Sequence, residues 1–263
     1  MTSSRSEAAL AIRAGLVTVS GRPAAKAAML VAPEDSIAMG GPARRFVSRG
    51  GEKLDAALDR FGIDASGRLA LDAGASTGGF TDVLLRRGAA RVIALDVGYG
   101  QLDWRLREDP KVITMERTNV RALDPVMLPY APNMVTADLS FISLRLALPS
   151  LARCASASAD LVLLVKPQFE AGRDDVGTGG VVSDPAIWSS AMRSVASSCG
   201  ELGFRVRGIM ASPLLGPAGN VEFVLHATRP PGAEPGPVSG MIERAVQEGL
   251  QLRGRGGRGV DGE

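Results

Sequence analysis

Apolar positions along the 263-residue chain follow two rhythms. From about residue 50 onward, short and nearly continuous Val/Ile/Leu/Ala runs recur: RLALDAG, ARVIALDVG, KVITMERT, NMVTADLSF, ADLVLLVKPQF, RVRGIMASP and NVEFVLHAT. Between most of them lie stretches whose apolar residues are three and four apart. Runs that are apolar at successive positions predict strands buried on both faces. Their alternation with helices predicts a mostly parallel, doubly wound α/β sheet. The last two runs, separated by LLGPAGN, predict an antiparallel hairpin at the sheet edge.

The first forty residues read differently. SRSEAALAI (4–12) has a Ser start and helical Ala/Leu/Ile spacing, which Gly15 ends. GLVTVSGRPA then predicts a short strand and a Ser-Gly turn, and MLVAPEDSIAM a strand pair broken by Pro-Glu-Asp. Such a unit is too small to bury much core by itself. After residue 228, RPPGAEPGPVSG reads as a linker followed by at most a short helix, and RGRGGRGVDGE as disordered. The expected organisation is therefore a small unit over 1–42, a linker over 43–49, an α/β domain over 50–228 and a largely disordered Pro/Gly-rich tail over 229–263.

Composition narrows the function. With 45% hydrophobic and 22% charged residues the chain has material for a real core. Cys154 and Cys199 lack CxxC spacing and His226 stands alone, so neither a metal cluster nor a Ser-His-Asp triad is expected. No apolar run approaches the ~18 residues of a membrane span, and the polar start lacks a signal-peptide core. The expectation is a soluble protein of the reducing cytoplasm, without stable membrane association. Net charge is only +2, yet residues 1–32 carry Arg5, Arg13, Arg22 and Lys26 against Glu7 alone. Arg44, Arg45, Arg49 and Lys53 follow at once. A basic front of this kind suits a polyanionic partner.

The chemistry gathers around Asp72-Ala-Gly74-Ala-Ser76-Thr-Gly78-Gly79-Phe80. The turn fails the P-loop template, which needs GK[ST] where Phe80 and Thr81 stand, and only weakly matches GxGxxG, because Ser76 replaces the second glycine. A carboxylate at Asp72 repels a pyrophosphate but suits a ligand with an ammonium group. A second acid, Asp96, closes the next strand, where α/β folds place a carboxylate on ribose hydroxyls. An amino-acid moiety on the first acid and a ribose on the second together describe S-adenosylmethionine.

Seven segments occur in a telling order: SRGGEKL (48–54), DAGASTGGFTDVLL (72–85), DVGYGQLDWRLR (96–107), ERTNVR (116–121), DLSFISL (138–144), LVKPQFE (164–170) and GNVEF (219–223). Together they resemble the TlyA (haemolysin A) family of ribosomal RNA 2′-O-methyltransferases, whose catalytic domain is FtsJ-like. The resemblance spans roughly residues 4–228. It implies a Rossmann-like class I methyltransferase with a seven-stranded sheet, preceded by a small S4-type RNA-binding domain. SRSEAALAIRAGLVTVSGRPAAK resembles the second half of such a domain, so the S4-like unit is expected to be partial.

The resemblance also assigns a site. Lys166, ending LVLLVKP at the carboxyl edge of the sheet, is the expected base for a ribose 2′-hydroxyl. An ordinary lysine titrates at ~10.4 and is charged at pH 7, so a second cation, Lys53, is expected nearby to favour the neutral form. Asp138 and Glu222 complete a Lys-Asp-Lys-Glu set. Gly74, Ser76, Gly78 and Phe80 join Asp72 and Asp96 as expected cofactor contacts, with Asn119 reaching the adenine, and Tyr99 and Phe141 as further candidate pocket aromatics. Arg5, Arg13, Lys26, Arg44 and Arg45 are the expected phosphate contacts on RNA. An exocyclic-amine acceptor would call for (N/D)PP(Y/F) where DLSF stands, and pyrimidine C5 methylation for a nucleophilic cysteine; neither pattern is present. Two other readings compete: a non-catalytic RNA-binding or ribosome-assembly factor, and a membrane-active haemolysin. Four intact site residues speak against the first, and the lack of a long apolar or strongly amphipathic segment against the second.

Overall fold

A computed structural model describes residues 8–9, 11–12, 16–24, 26–39, 45–172, 175–177, 179–229 and 238–256. It divides into two compact units, Met1–Arg45 and Phe46–Glu263.

In the first unit, β1 (Val17–Val19) pairs antiparallel with both β2 (Arg22–Pro23) and β3 (Ile37–Met39), in the order β2-β1-β3. Ser20 and Gly21 turn between β1 and β2 with positive φ, as the Ser-Gly pair predicts. Val17, Val19, Ala11 and Ala24 form its small apolar cluster. The expected strand over MLVA is absent: Leu30 is 96% exposed. There the Asp35 carboxylate accepts from the Ala32 amide and the Ser20 hydroxyl, which curls the chain instead of extending it.

The second unit is built on seven strands: β4 (Leu69–Ala73), β5 (Arg91–Leu95), β6 (Val112–Met115), β7 (Met134–Ala137), β8 (Asp160–Val165), β9 (Arg205–Ala211) and β10 (Phe223–Thr228). Their order is β6-β5-β4-β7-β8-β10-β9. β10 is antiparallel to both neighbours, and the other pairings are parallel. The expected hairpin is present, with β10 slotted between β8 and β9 so that β9 takes the edge. Seven strands in this arrangement make a Rossmann-like, doubly wound sheet with one antiparallel strand.

Successive strand residues face opposite layers. Leu71, Ile93, Val135, Leu163 and Leu225 pack with α4 (Leu144–Cys154), α6 (Pro185–Glu201) and α7 (Val238–Gly256). Ala70, Val92, Met134, Val162 and Val224 pack with α1 (Gly50–Phe61) and α2 (Gly79–Arg86). Short helices α3 (Trp104–Arg107) and α5 (Pro167–Glu170) follow β5 and β8. Glu170 accepts from the Leu144 amide (2.6 Å) and the Ser143 hydroxyl (2.5 Å), satisfying the exposed N–H end of α4. Burial holds the Glu170 carboxyl above its ordinary range despite those bonds.

The tail expected to be largely disordered over 229–263 needs correction, because α7 occupies nineteen of those residues. Ile242, Ala245 and Val246 are buried at helical spacing. Gly249 permits the close approach: a Cβ there would lie 2.9 Å from Val221 and 3.4 Å from Trp188. Residues 230–237 and 257–263 lie outside the described residues.

Candidate functional site

The strand order reverses between β5-β4 and β7-β8, and the crevice at the carboxyl ends of strands at such a point is where open α/β sheets bind ligands. A cavity of about 470 Å³ opens there, within the ~300–1,000 Å³ usual for small-molecule sites. Its wall is made by Gly74 and Ser76 after β4, Asp96 and Gln101 after β5, Asn119 after β6, and Asp138, Ser140 and Phe141 after β7.

The glycine-rich turn is shaped for close approach. Gly74 has φ +84°, and a Cβ on it would lie 2.5 Å from the Asp138 carbonyl oxygen. Gly78, at φ +95°, leaves room for Leu102 and Leu106. Ser76 takes the left-handed conformation (φ 48°) that a side chain rarely adopts. Its amide thereby donates to Asp96 Oδ2 at 2.8 Å, while the Gly98 amide donates to Oδ1 at 2.6 Å. Two backbone donors thus fix the Asp96 carboxylate at the cavity wall. Asn119 also lines the cavity, its Oδ1 accepting from the Arg121 amide at 3.0 Å.

Three expected cofactor contacts do not line the cavity: Gly78, packed against Leu102 and Leu106, Asp72 and Phe80. Asp72 is fully buried and does not line the cavity; it accepts from Thr81 Oγ1 (2.7 Å) and Thr136 Oγ1 (3.2 Å). Burial pushes its carboxyl up to about 7, against the pull of the two threonine bonds. It is an internal tie between β4, α2 and β7 rather than an open counter-charge for a ligand ammonium. Phe80, 5% exposed, packs with Leu54, Val83 and Leu84 beneath α1. Among the other aromatics, Phe141 lines the cavity and is 92% exposed, whereas Tyr99 stands under the Arg117 guanidinium at 4.1 Å and does not line it. From the Tyr99 loop it is Gln101 that turns inward, 3.3 Å from Ser76 Oγ.

The Lys-Asp-Lys-Glu residues come together as two pairs. Phe223 sits opposite Val165 in the β10–β8 ladder, so Glu222 and Lys166, one step beyond, leave the sheet side by side. Ala137 lies beside Ala73, so Asp138 and Gly74 do the same. Lys166 Nζ is 2.7 Å from Asp138 Oδ1, and Lys53 Nζ donates to Glu222 Oε2 at 2.5 Å. Lys53 projects from the second turn of α1. The first turn abuts the same centre, since a Cβ on Gly50 would lie 3.8 Å from Asp138 Oδ2. Gly216 leaves the space that the Glu222 carboxylate fills. Lys53, Lys166 and Glu222 are buried and Asp138 half-buried. Each lysine has its own carboxylate partner at the centre.

Other side chains at the centre escaped the sequence reading. Ser140 Oγ accepts from Lys166 Nζ at 2.8 Å, and the Phe169 ring lies 5.7 Å from the same nitrogen. Both sit in the motifs DLSF and KPQFE, but nothing in their residue types marks them. His226 lies in mid-strand, stacked on Phe61 and 2.9 Å from Asp160. Among the described residues no group of His, Cys, Asp and Glu could hold a metal ion, and no helix is long and apolar enough to cross a membrane. In the first unit Lys26 is exposed; Arg45, which ends it, is exposed as well. Arg5, Arg13 and Arg44 lie outside the described residues.

A methyltransferase sheet with an acid on the second strand end and a buried lysine–aspartate pair beside the cavity defines the class. Residues 46–229 match the model of the FtsJ-like methyltransferases, and the chain belongs to that family. Within it the similarity is to TlyA proteins: the 16S/23S rRNA (cytidine-2′-O)-methyltransferase TlyA of Mycobacterium tuberculosis is 53% identical over 223 residues, 84% of this chain and 83% of the relative. Hemolysin A of Brachyspira hyodysenteriae is 38% identical, covering 86% of this chain and 94% of the relative. A solved structure from Streptococcus thermophilus, described as a hemolysin, superimposes with a TM-score of 0.83 at 36% identity, covering 98% of this chain and 94% of that one.

Proposed function

We propose that the chain is an S-adenosylmethionine-dependent methyltransferase acting on a ribose 2′-hydroxyl, that of a cytidine in ribosomal RNA, with Lys166 taking the hydroxyl proton. The observation that carries this reading is the pair of buried Lys166 and half-buried Asp138 at the sheet edge, whose aspartate lines the same cavity as Asp96. The acceptor follows from the TlyA relative, which is named for cytidine-2′-O methylation of 16S and 23S rRNA.

The cavity residues fit an adenosyl ligand. In this reading Asp96, held by two amides, would take the ribose diol, and Asn119 the base, while Gly74 lets the Asp138 backbone approach the turn. Bound there, S-adenosylmethionine would supply an electrophilic methyl group and a neutral thioether leaving group. The protein's share is then to hold the acceptor in line and to receive one proton. Lys166 in its amine form receives it at Nζ. Asp138, 2.7 Å away, balances the ammonium so produced. Lys53 and Glu222 form a second closed pair that fixes α1 against the start of β10.

The first unit serves, in this reading, as a partial S4-like module that grips RNA phosphates through Lys26, Arg45 and the basic residues beside them. Ribosomal subunits in the cytoplasm are the substrate form. The test is methyl transfer from tritiated S-adenosylmethionine to rRNA isolated from a strain lacking the gene, followed by nuclease digestion and mass spectrometry. Label on a cytidine ribose supports the reading; label on a base, or none on any ribosomal RNA, overturns it.

A further inference from the structure

The Lys166 side chain ends in a cage of three groups: the Asp138 carboxylate, the Ser140 hydroxyl and the face of Phe169. Their contributions differ. Asp138 Oδ1 is 2.7 Å from Nζ, yet it accepts no aligned hydrogen bond. Ser140 Oγ, at 2.8 Å, takes a well-directed one. Charge comes from Asp138 and direction from Ser140.

Direction matters for a base. An amine nitrogen has four tetrahedral positions: the bond to Cε, two N–H bonds and the lone pair. With Cε fixed by the buried stem, the lone pair's direction depends on rotation about Cε–Nζ. A carboxylate outside hydrogen-bonding geometry sets that rotation poorly, since charge attraction is nearly isotropic. An aligned acceptor sets it well, because hydrogen bonds weaken steeply off axis. Ser140 also lines the cavity, beside Asp138.

We infer that Ser140 is a positioning residue for methyl transfer: its Oγ holds one Lys166 N–H while Asp138 draws the second, which leaves the lone pair a single tetrahedral position for the acceptor hydroxyl. This rests on Lys166 being the base. Proton stoichiometry is unchanged: the O2′ proton passes to Nζ, and Ser140 neither gains nor loses one.

The experiment uses the full chain, tritiated S-adenosylmethionine and unmethylated large ribosomal subunits from a strain lacking the gene, with Ser140→Ala, Ser140→Thr and Lys166→Arg assayed beside the unsubstituted protein. Ser140→Ala is expected to lower kcat about tenfold, a misalignment effect below the 10²-fold that an ångström of misplacement can cost. KM for each substrate and the melting temperature should stay the same within error, and Ser140→Thr, which keeps the hydroxyl, should regain most of the rate. Unchanged kcat in Ser140→Ala beside a dead Lys166→Arg overturns this inference alone. So does a loss confined to KM, which would make Ser140 a substrate contact, or a threonine no better than alanine. Turnover by Lys166→Arg overturns the base reading and this inference together.

Discussion

Replacing Glu222 by alanine leaves the Lys53 ammonium, 7% exposed, without the carboxylate that sits 2.5 Å from it. Removing one member of a buried pair costs about 3–5 kcal/mol, because the remaining charge stays desolvated. Glu222 is itself 1% exposed, and the space beside Gly216 that its carboxylate fills would be emptied. The expected destabilisation is therefore about 4 kcal/mol, a large part of the ~5–15 kcal/mol that holds a typical domain. Removing both charges at similar volume, as in Lys53→Met with Glu222→Leu, should bring stability back to within about 1 kcal/mol of the unsubstituted chain. The coupling energy of the cycle should then exceed about 2 kcal/mol. Urea unfolding followed by Trp188 emission reads this directly: Trp188 is fully buried and 5.8 Å from Phe223, while Trp104, 72% exposed, changes little. The double variant should be stable and inactive. A single-variant cost below 1 kcal/mol, or a double variant as unstable as the two singles added, would refute the buried-pair argument.

Two further predictions concern the acids. Asp96→Ala should weaken S-adenosylmethionine binding by roughly 10- to 150-fold, the loss of a charged hydrogen-bond partner worth about 1.5–3 kcal/mol; unchanged affinity by calorimetry would put the ligand elsewhere. Asp72, raised from 3.8 to about 7, binds its proton more tightly in the folded chain than in the unfolded one. Its contribution to stability therefore declines as pH rises from about 4 to about 7 and is level above that. Asp72→Asn should abolish that decline, so the variant gains on the unsubstituted chain between pH 5 and pH 8, with a ceiling of about 3 kcal/mol. A stability difference that is equal at both pH values would show that Asp72 is ionised throughout.

The strands were legible because both faces of a parallel sheet are buried, which leaves runs such as LVLLV with no other sensible conformation. Asp96 was legible for a related reason: an acid that ends such a run must leave the sheet at its carboxyl edge. Asp72 has the same flanks but lies within β4, one residue before its end, and there the neighbours decide its surroundings. Thr81 and Thr136, nine and sixty-four residues away, close over it. Phe80 fails similarly, since the first turn of α2 aims it under α1, a packing no local pattern encodes. Helix α7 was hidden between the Pro/Gly-rich linker before it and the Gly/Arg-rich end of the chain, and Gly249 lets the helix lie against Val221 and Trp188. Ser140 carries no signal in sequence, because an exposed serine after a strand is ordinary until a buried lysine is seen to donate to it.

The central claim is that Lys166 accepts the proton of a ribose hydroxyl. Arginine keeps a cation at that position but cannot give up its proton in a protein. Methylation of unmethylated large ribosomal subunits by Lys166→Arg, at neutral pH and with cofactor and RNA binding verified separately, is the most direct measurement. The account predicts a rate as low as that of Lys166→Ala. Appreciable turnover by the arginine variant would contradict it, leaving positioning and electrostatics to carry the reaction without a general base at residue 166.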